Sequence, residues 1–137
     1  MTDHKALVQN LYEALVPDAD VSAVIDRHFA DDFVENEVFP GQDDSRETPK
    51  QMFTMVFAAF PDFRATVHDI IEDGDKAAVR LTFSGTHQGE FMGVPASGNH
   101  AEFSVIDIHQ FRGDKIVARW GVTDMAALMA QIGQTSD

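Results

Sequence analysis

Asp107 and His109 stand two residues apart in a segment that alternates like a strand. Phe103, Val105, Asp107, His109 and Phe111 would share one face, and Ser104, Ile106, Ile108 and Gln110 the other. A carboxyl and an imidazole held together in apolar surroundings can be tuned for proton transfer near neutral pH. Burial raises the carboxyl's pKa, and a protonated imidazole beside it lowers it. The same pair could equally form a structural hydrogen bond, and spacing leaves both readings open. Asp124 directly precedes Met125-Ala126-Ala127-Leu128, where an aspartate makes a good helix N-cap. Tyr12 lies on an apolar helical stripe, so its ring should be buried and its hydroxyl should need a partner. Asn36 sits between Glu35 and Glu37 in a short strand, and His87 at a strand end reads as a hydrogen-bonded rim residue.

Composition narrows the chemistry. The 137-residue chain has no cysteine, which excludes disulfides, thiolate metal sites and a cysteine nucleophile. Its six histidines show no His-x-His or HExxH spacing, so a dedicated metal site is not expected. A net charge of −13 argues against nucleic acid, which needs a concentrated cationic surface. Seventeen of the 23 acidic residues fall at or before Asp75, as a solvated surface would have them. No run approaches transmembrane length, and Met1-Thr2-Asp3-His4-Lys5 lacks the build of a signal peptide, so a cytoplasmic protein with no membrane partner is expected.

The elements that must position these side chains follow from periodicity. Leu7, Val8, Leu11, Tyr12 and Leu15 form a helical stripe that ends at Pro17. A second helix begins after Asp20, with Val21, Val24, Ile25, His28 and Phe29 inward, and residues 33–38 alternate as a strand. Thr48-Pro49 reads as a cap and a first helical proline, followed by Met52, Phe53, Val56, Phe57 and Phe60 on one face, with Pro61 as the stop. The period then becomes two. Strands around 65–71 and 77–83 join through Asp73-Gly74-Asp75, and strands around 100–112 and 115–122 through Gly113-Asp114. Met125, Leu128, Met129 and Ile132 close the chain as a helix, with Gly133 as its cap. Helices followed by a hairpin meander imply one α+β domain over 1–137: a curved antiparallel sheet wrapped around helices, enclosing a pocket.

The stretch from Gly85 to Gly98, GTHQGEFMGVPASG, resembles the G-T-H-x-G-x-F-x-G-x-P-x-[TS]-G segment of SnoaL-like polyketide cyclases, within the nuclear transport factor 2-like cone superfamily. Asp107-Ile108-His109, Gly113-Asp114-Lys115-Ile116-Val117, Trp120, Asp124 and Gln131-Ile132-Gly133 continue the likeness in order, and Ala59-Phe60-Pro61-Asp62 extends it backward. Two departures stand out: relatives commonly read Glu-His where this chain has Ala118-Arg119, and many have threonine in place of Ser97.

The resemblance implies a cone-shaped fold and a cofactor-free intramolecular aldol ring closure of a polyketide-derived ester. It assigns the aspartate of W-x-x-x-D, here Asp124, as general acid/base, with His109 beside it and Asp107 in support. Trp120, Tyr12, Asn36, His87, Phe91 and Phe57 would line the pocket and bind a hydrophobic small molecule. The alternatives are an isomerase, dehydratase or epoxide hydrolase on the same fold, or a non-catalytic binding or dimerisation module. Apolar positions on both faces of the later strands lead to the expectation of a homodimer or higher homo-oligomer.

Overall fold

A computed structural model describes residues 3–38 and 40–133. Helices α1 (His4–Ala14) and α2 (Val21–His28) lead into strand β1 (Phe29–Glu35), followed by α3 (Glu47–Ala59). The meander β2 (Arg64–Asp73), β3 (Lys76–Thr86), β4 (His100–Arg112), β5 (Lys115–Thr123) and helix α4 (Met125–Ile132) complete the chain. None of these helices is long and apolar enough to cross a membrane.

The five strands form one sheet in the order β1-β5-β4-β3-β2. The four meander strands pair antiparallel as the hairpin turns require, with Gly74 and Gly113 both at positive φ in those turns. β1 joins the edge parallel to β5, so the sheet is mixed. It starts at Phe29, four residues before the expected strand. Phe29 is therefore the C-cap of α2 and the first strand residue, not part of the helix face.

The helices cover one face of the sheet. Val8 and Leu11 from α1, Leu15 at its C-cap, Ile25 from α2, and Leu128 and Ile132 from α4 are all at most 2% exposed against the inner sheet residues. Burial of each such side chain contributes about 1.5–3 kcal/mol. The start of α3 differs from expectation. Arg46 occupies the N-cap without a side-chain cap bond, and Thr48 lies inside the helix with its hydroxyl donating to the Asp43 carbonyl.

A bulge in β5 decides which side chains face inward. Gln110 pairs with Ala118 but Phe111 pairs with Ile116, so Val117 is an extra residue in the ladder. An inserted residue reverses the side-chain alternation. Ile116 is buried before it, whereas Arg119 and Gly121 face the cavity after it. Trp120 and Val122 consequently turn outward, where Ile71, Ile106 and Ile108 are also exposed.

Candidate active site

The helices and the inner sheet face enclose a cavity of about 370 Å³. Its wall is mostly apolar, including Leu11 of α1 and Leu15 at its C-cap, Phe53 of α3, Phe83 of β3 and Phe103 of β4. Nine polar residues also line it, and five of them, Tyr12, Glu35, Asp107, His109 and Arg119, come from four elements to form one connected cluster. Tyr12, Glu35, Asp107 and His109 are 1% to 5% exposed.

Sheet register explains why they meet. Arg119 is paired with Glu35 across the parallel edge and with His109 across the antiparallel one, and Asp107 is paired with Gly121. The guanidinium of Arg119 donates from Nη1 to Glu35 Oε2 at 2.7 Å, and from Nε and Nη2 to Asp107 Oδ1 at 3.1 and 2.6 Å. Tyr12, reaching down from α1, donates its hydroxyl to Asp107 Oδ2. His109 Nε2 lies 2.9 Å from the same hydroxyl oxygen and 4.0 Å from Asp107 Oδ2.

These contacts fix the proton pattern. With Arg119 making Asp107 an acceptor, the single phenolic proton goes to Asp107, and the Tyr12 oxygen accepts from His109 Nε2–H. That tautomer leaves His109 Nδ1 as a lone pair, buried and without a hydrogen-bond partner among the described residues. Burial lowers the His109 pKa to about 4, with Asp107 partly offsetting and Arg119 reinforcing the effect, so the ring is neutral at neutral pH. Burial and then the Asp107 charge push the Tyr12 hydroxyl well above 10.0. Burial also raises Glu35 above its ordinary 4.5, against the pull of Arg119. Burial opposes the charge on Arg119, but Asp107 and Glu35 more than offset it and hold the guanidinium protonated.

The sequence profile of SnoaL-like polyketide cyclases matches residues 6–132. The chain belongs to the SnoaL-like polyketide cyclase family. Among solved structures it is similar to IdmH of Streptomyces antibioticus, described as a candidate polyketide cyclase: 31% identity, 97% of this chain and 100% of that one, TM-score 0.81. AclR of Streptomyces galilaeus, described as a candidate hydroxylase, matches at 30% identity over 97% of this chain and 82% of its own, TM-score 0.81. TsrD of Streptomyces laurentii matches at 27% identity over 97% and 98%, TM-score 0.83. No curated protein sequence matches the chain.

Within this SnoaL-like cone, four of the expected residues line the cavity: Tyr12, Asp107, His109 and Phe91. The others lie elsewhere. Asp124 is exposed at the α4 N-cap, where Oδ1 accepts from Ala127 N–H at 3.0 Å, and it is outside the cavity lining. At this strand–helix junction the carboxylate is engaged by the first turn of α4. Asp124→Ala should therefore lower the unfolding free energy by about 1 kcal/mol in urea denaturation.

Trp120 stands on the outer sheet face because of the β5 bulge, with Lys76 Nζ 5.6 Å from its ring centre. Asn36 is exposed just past β1, and its amide donates to the Arg119 carbonyl at 3.0 Å. Phe57 is buried against Phe53 and Phe63 in the core, outside the cavity lining. His87 is fully buried rather than at a rim. It stacks on Phe60, and its Nδ1 lies 3.0 Å from the Ser97 hydroxyl and accepts from the Ser97 N–H at 3.1 Å. The glycine-rich stretch is thus pinned by His87, and it carries Phe91 into the cavity wall.

Glu35, Arg119 and Gly121 were not anticipated. Glu35 shares a strand face with Phe33, an alternation that already turns it inward. Arg119 falls at one of the two departures from the family pattern. Gly121 carries no signal that sequence alone could read.

Proposed function

We propose that the protein is a cofactor-free acid/base catalyst that closes a ring in a polyketide-derived ester by an intramolecular aldol reaction. The observation that carries this reading is the hydrogen-bonded chain Glu35–Arg119–Asp107–Tyr12–His109 set in the wall of a largely apolar cavity. An apolar cavity folds a hydrophobic substrate so that its carbanion carbon and carbonyl carbon approach, which supplies catalysis by proximity. Two carboxylates about one guanidinium divide the labour. Asp107, bound by Arg119 and Tyr12, anchors the cluster, while Glu35 has the raised proton affinity a general base needs.

Glu35 removes a proton from a carbon between two carbonyl or aryl groups, and the electron pair passes into an enolate. The enolate oxygen is met by Arg119 N–H groups not engaged by the two carboxylates. The carbanion carbon then adds to a second carbonyl of the same chain, forming the carbon–carbon bond, and the new alkoxide takes the proton back from Glu35. His109 holds the Tyr12 hydroxyl in place on Asp107. Every step is a proton transfer or an addition within one molecule, so the product has the mass of the substrate.

The test is incubation with a linear aryl polyketide ester in deuterium oxide at neutral pH. The expected result is protein-dependent deuterium uptake at the activated carbon together with a cyclised isomer in mass spectrometry and NMR. Neither exchange nor cyclisation above the buffer rate, over a set of such esters, would sink the proposal.

A further inference from the structure

We infer that Gly121 is a positioning residue for this cluster: its bare Cα lets the Arg119 guanidinium cross β5 and seat on Asp107. The assignment builds on the acid/base function proposed above, but its test needs no substrate. Arg119 is paired in the ladder with His109, while Gly121 is paired with Asp107. The guanidinium nonetheless bonds Asp107, one diagonal step along the sheet, and its path runs over Gly121.

A Cβ built at residue 121 would lie 2.3 Å from Asp107 Oδ1, 2.4 Å from Arg119 Nη2 and 2.7 Å from Arg119 Cζ. All three are closer than atoms in proteins approach, so the ion pair and a side chain at this position exclude each other. The obstruction also differs in kind from that at two other glycines. At Gly89 and Gly133 a Cβ would strike backbone, the Ala58 carbonyl at 2.8 Å and the Met129 carbonyl at 2.7 Å. At Gly121 the nearest atoms are the far ends of two side chains that can swing away. An alanine here separates the pair and leaves the strand intact.

The consequence falls on His109. The groups facing it are Tyr12 from α1, Asp107 on its own strand, Arg119 from β5 and the ring of Phe29 from β1. Arg119 opposes protonation of the imidazole and Asp107 favours it. With the guanidinium displaced, the carboxylate acts unopposed and the imidazole takes up its proton at higher pH.

The experiment is an NMR pH titration of the histidine ring carbons in wild type and Gly121→Ala, with the His109 signal assigned by its loss in His109→Gln. Circular dichroism and the fluorescence of Trp120, the single tryptophan, report the fold. The expected result is a folded variant whose His109 midpoint moves upward from about 4. In an Arg119→Met background that midpoint is already raised, and adding Gly121→Ala moves it no further. A folded Gly121→Ala with an unchanged His109 midpoint overturns the inference. So does a variant that fails to fold, since the obstruction would then be in the strand and not in the side-chain ends. Absence of cyclase activity in the wild type would touch the proposed function and leave this result standing.

Discussion

Replacing Glu35 with glutamine is expected to lower kcat/KM for ring closure by about 10²- to 10⁴-fold, the range that a positioned general base contributes. The substitution is close to isosteric. The amide oxygen can still accept from Arg119 Nη1 and from the Glu37 N–H, the two donors Glu35 Oε2 now receives at 2.7 and 3.2 Å. Arg119 keeps Asp107 as its counter-charge through two further bonds, so no buried charge is stranded. A folded protein that has lost only a proton acceptor is the predicted outcome. The wild-type rate should rise with pH as Glu35 loses its proton, with the limb displaced above 4.5 because burial raises this carboxyl. That limb should vanish in Glu35→Gln. Retention of the full rate with the limb in place would remove Glu35 from the role, whereas Asp124→Asn, outside the cavity, should leave both rate and limb unchanged.

Much of the fold can be read without coordinates because its signals are local. The switch from helical period to period two near Arg64 and the turns at Asp73-Gly74-Asp75 and Gly113-Asp114 each depend on a few neighbouring residues, and the structure has them. Tyr12, Asp107 and His109 are legible for the same reason. Each lies in an uninterrupted periodic run whose buried face is obvious, and both β4 residues keep strict alternation.

What stays hidden depends on one extra residue. In sequence, Ile116, Ala118, Trp120 and Val122 alternate as an apolar strand face and argue that Trp120 points inward. Val117 bulges out of the ladder and reverses the alternation, so the structure buries Ile116 and exposes Trp120. No propensity rule places a bulge at valine. The reversal delivers Arg119 to the cavity and, through the parallel pairing with β1, to Glu35. The cavity thereby gains a part-buried guanidinium between two carboxylates. The W-x-x-x-D aspartate is meanwhile occupied with the cap of α4. Position in a motif carries a role only where local geometry carries the side chain to the same place.

His109 should dominate the acid sensitivity of the fold. Its ordinary pKa of 6.5 falls to about 4 in the folded chain because burial disfavours the charged ring. A depressed histidine is bound more tightly by the fold when neutral. Its stabilisation is therefore complete above pH 6.5 and drains away as the pH falls towards 4, with the unfolded chain taking up the proton first. At about 1.4 kcal/mol per pH unit, a gap of that width amounts to about 3 kcal/mol. Glu35 acts with the opposite sign. A carboxyl whose folded pKa is raised favours the fold more as the pH drops through that pKa, so it masks part of the loss. The two are separated by comparing wild type with His109→Gln in urea denaturation at pH 7 and pH 4. The glutamine amide retains a donor for the Tyr12 oxygen but does not titrate. Between the two pH values wild type should lose about 3 kcal/mol more than His109→Gln. Equal losses would show that His109 is not held neutral by its surroundings, and would also remove the tautomer that ties it to Tyr12.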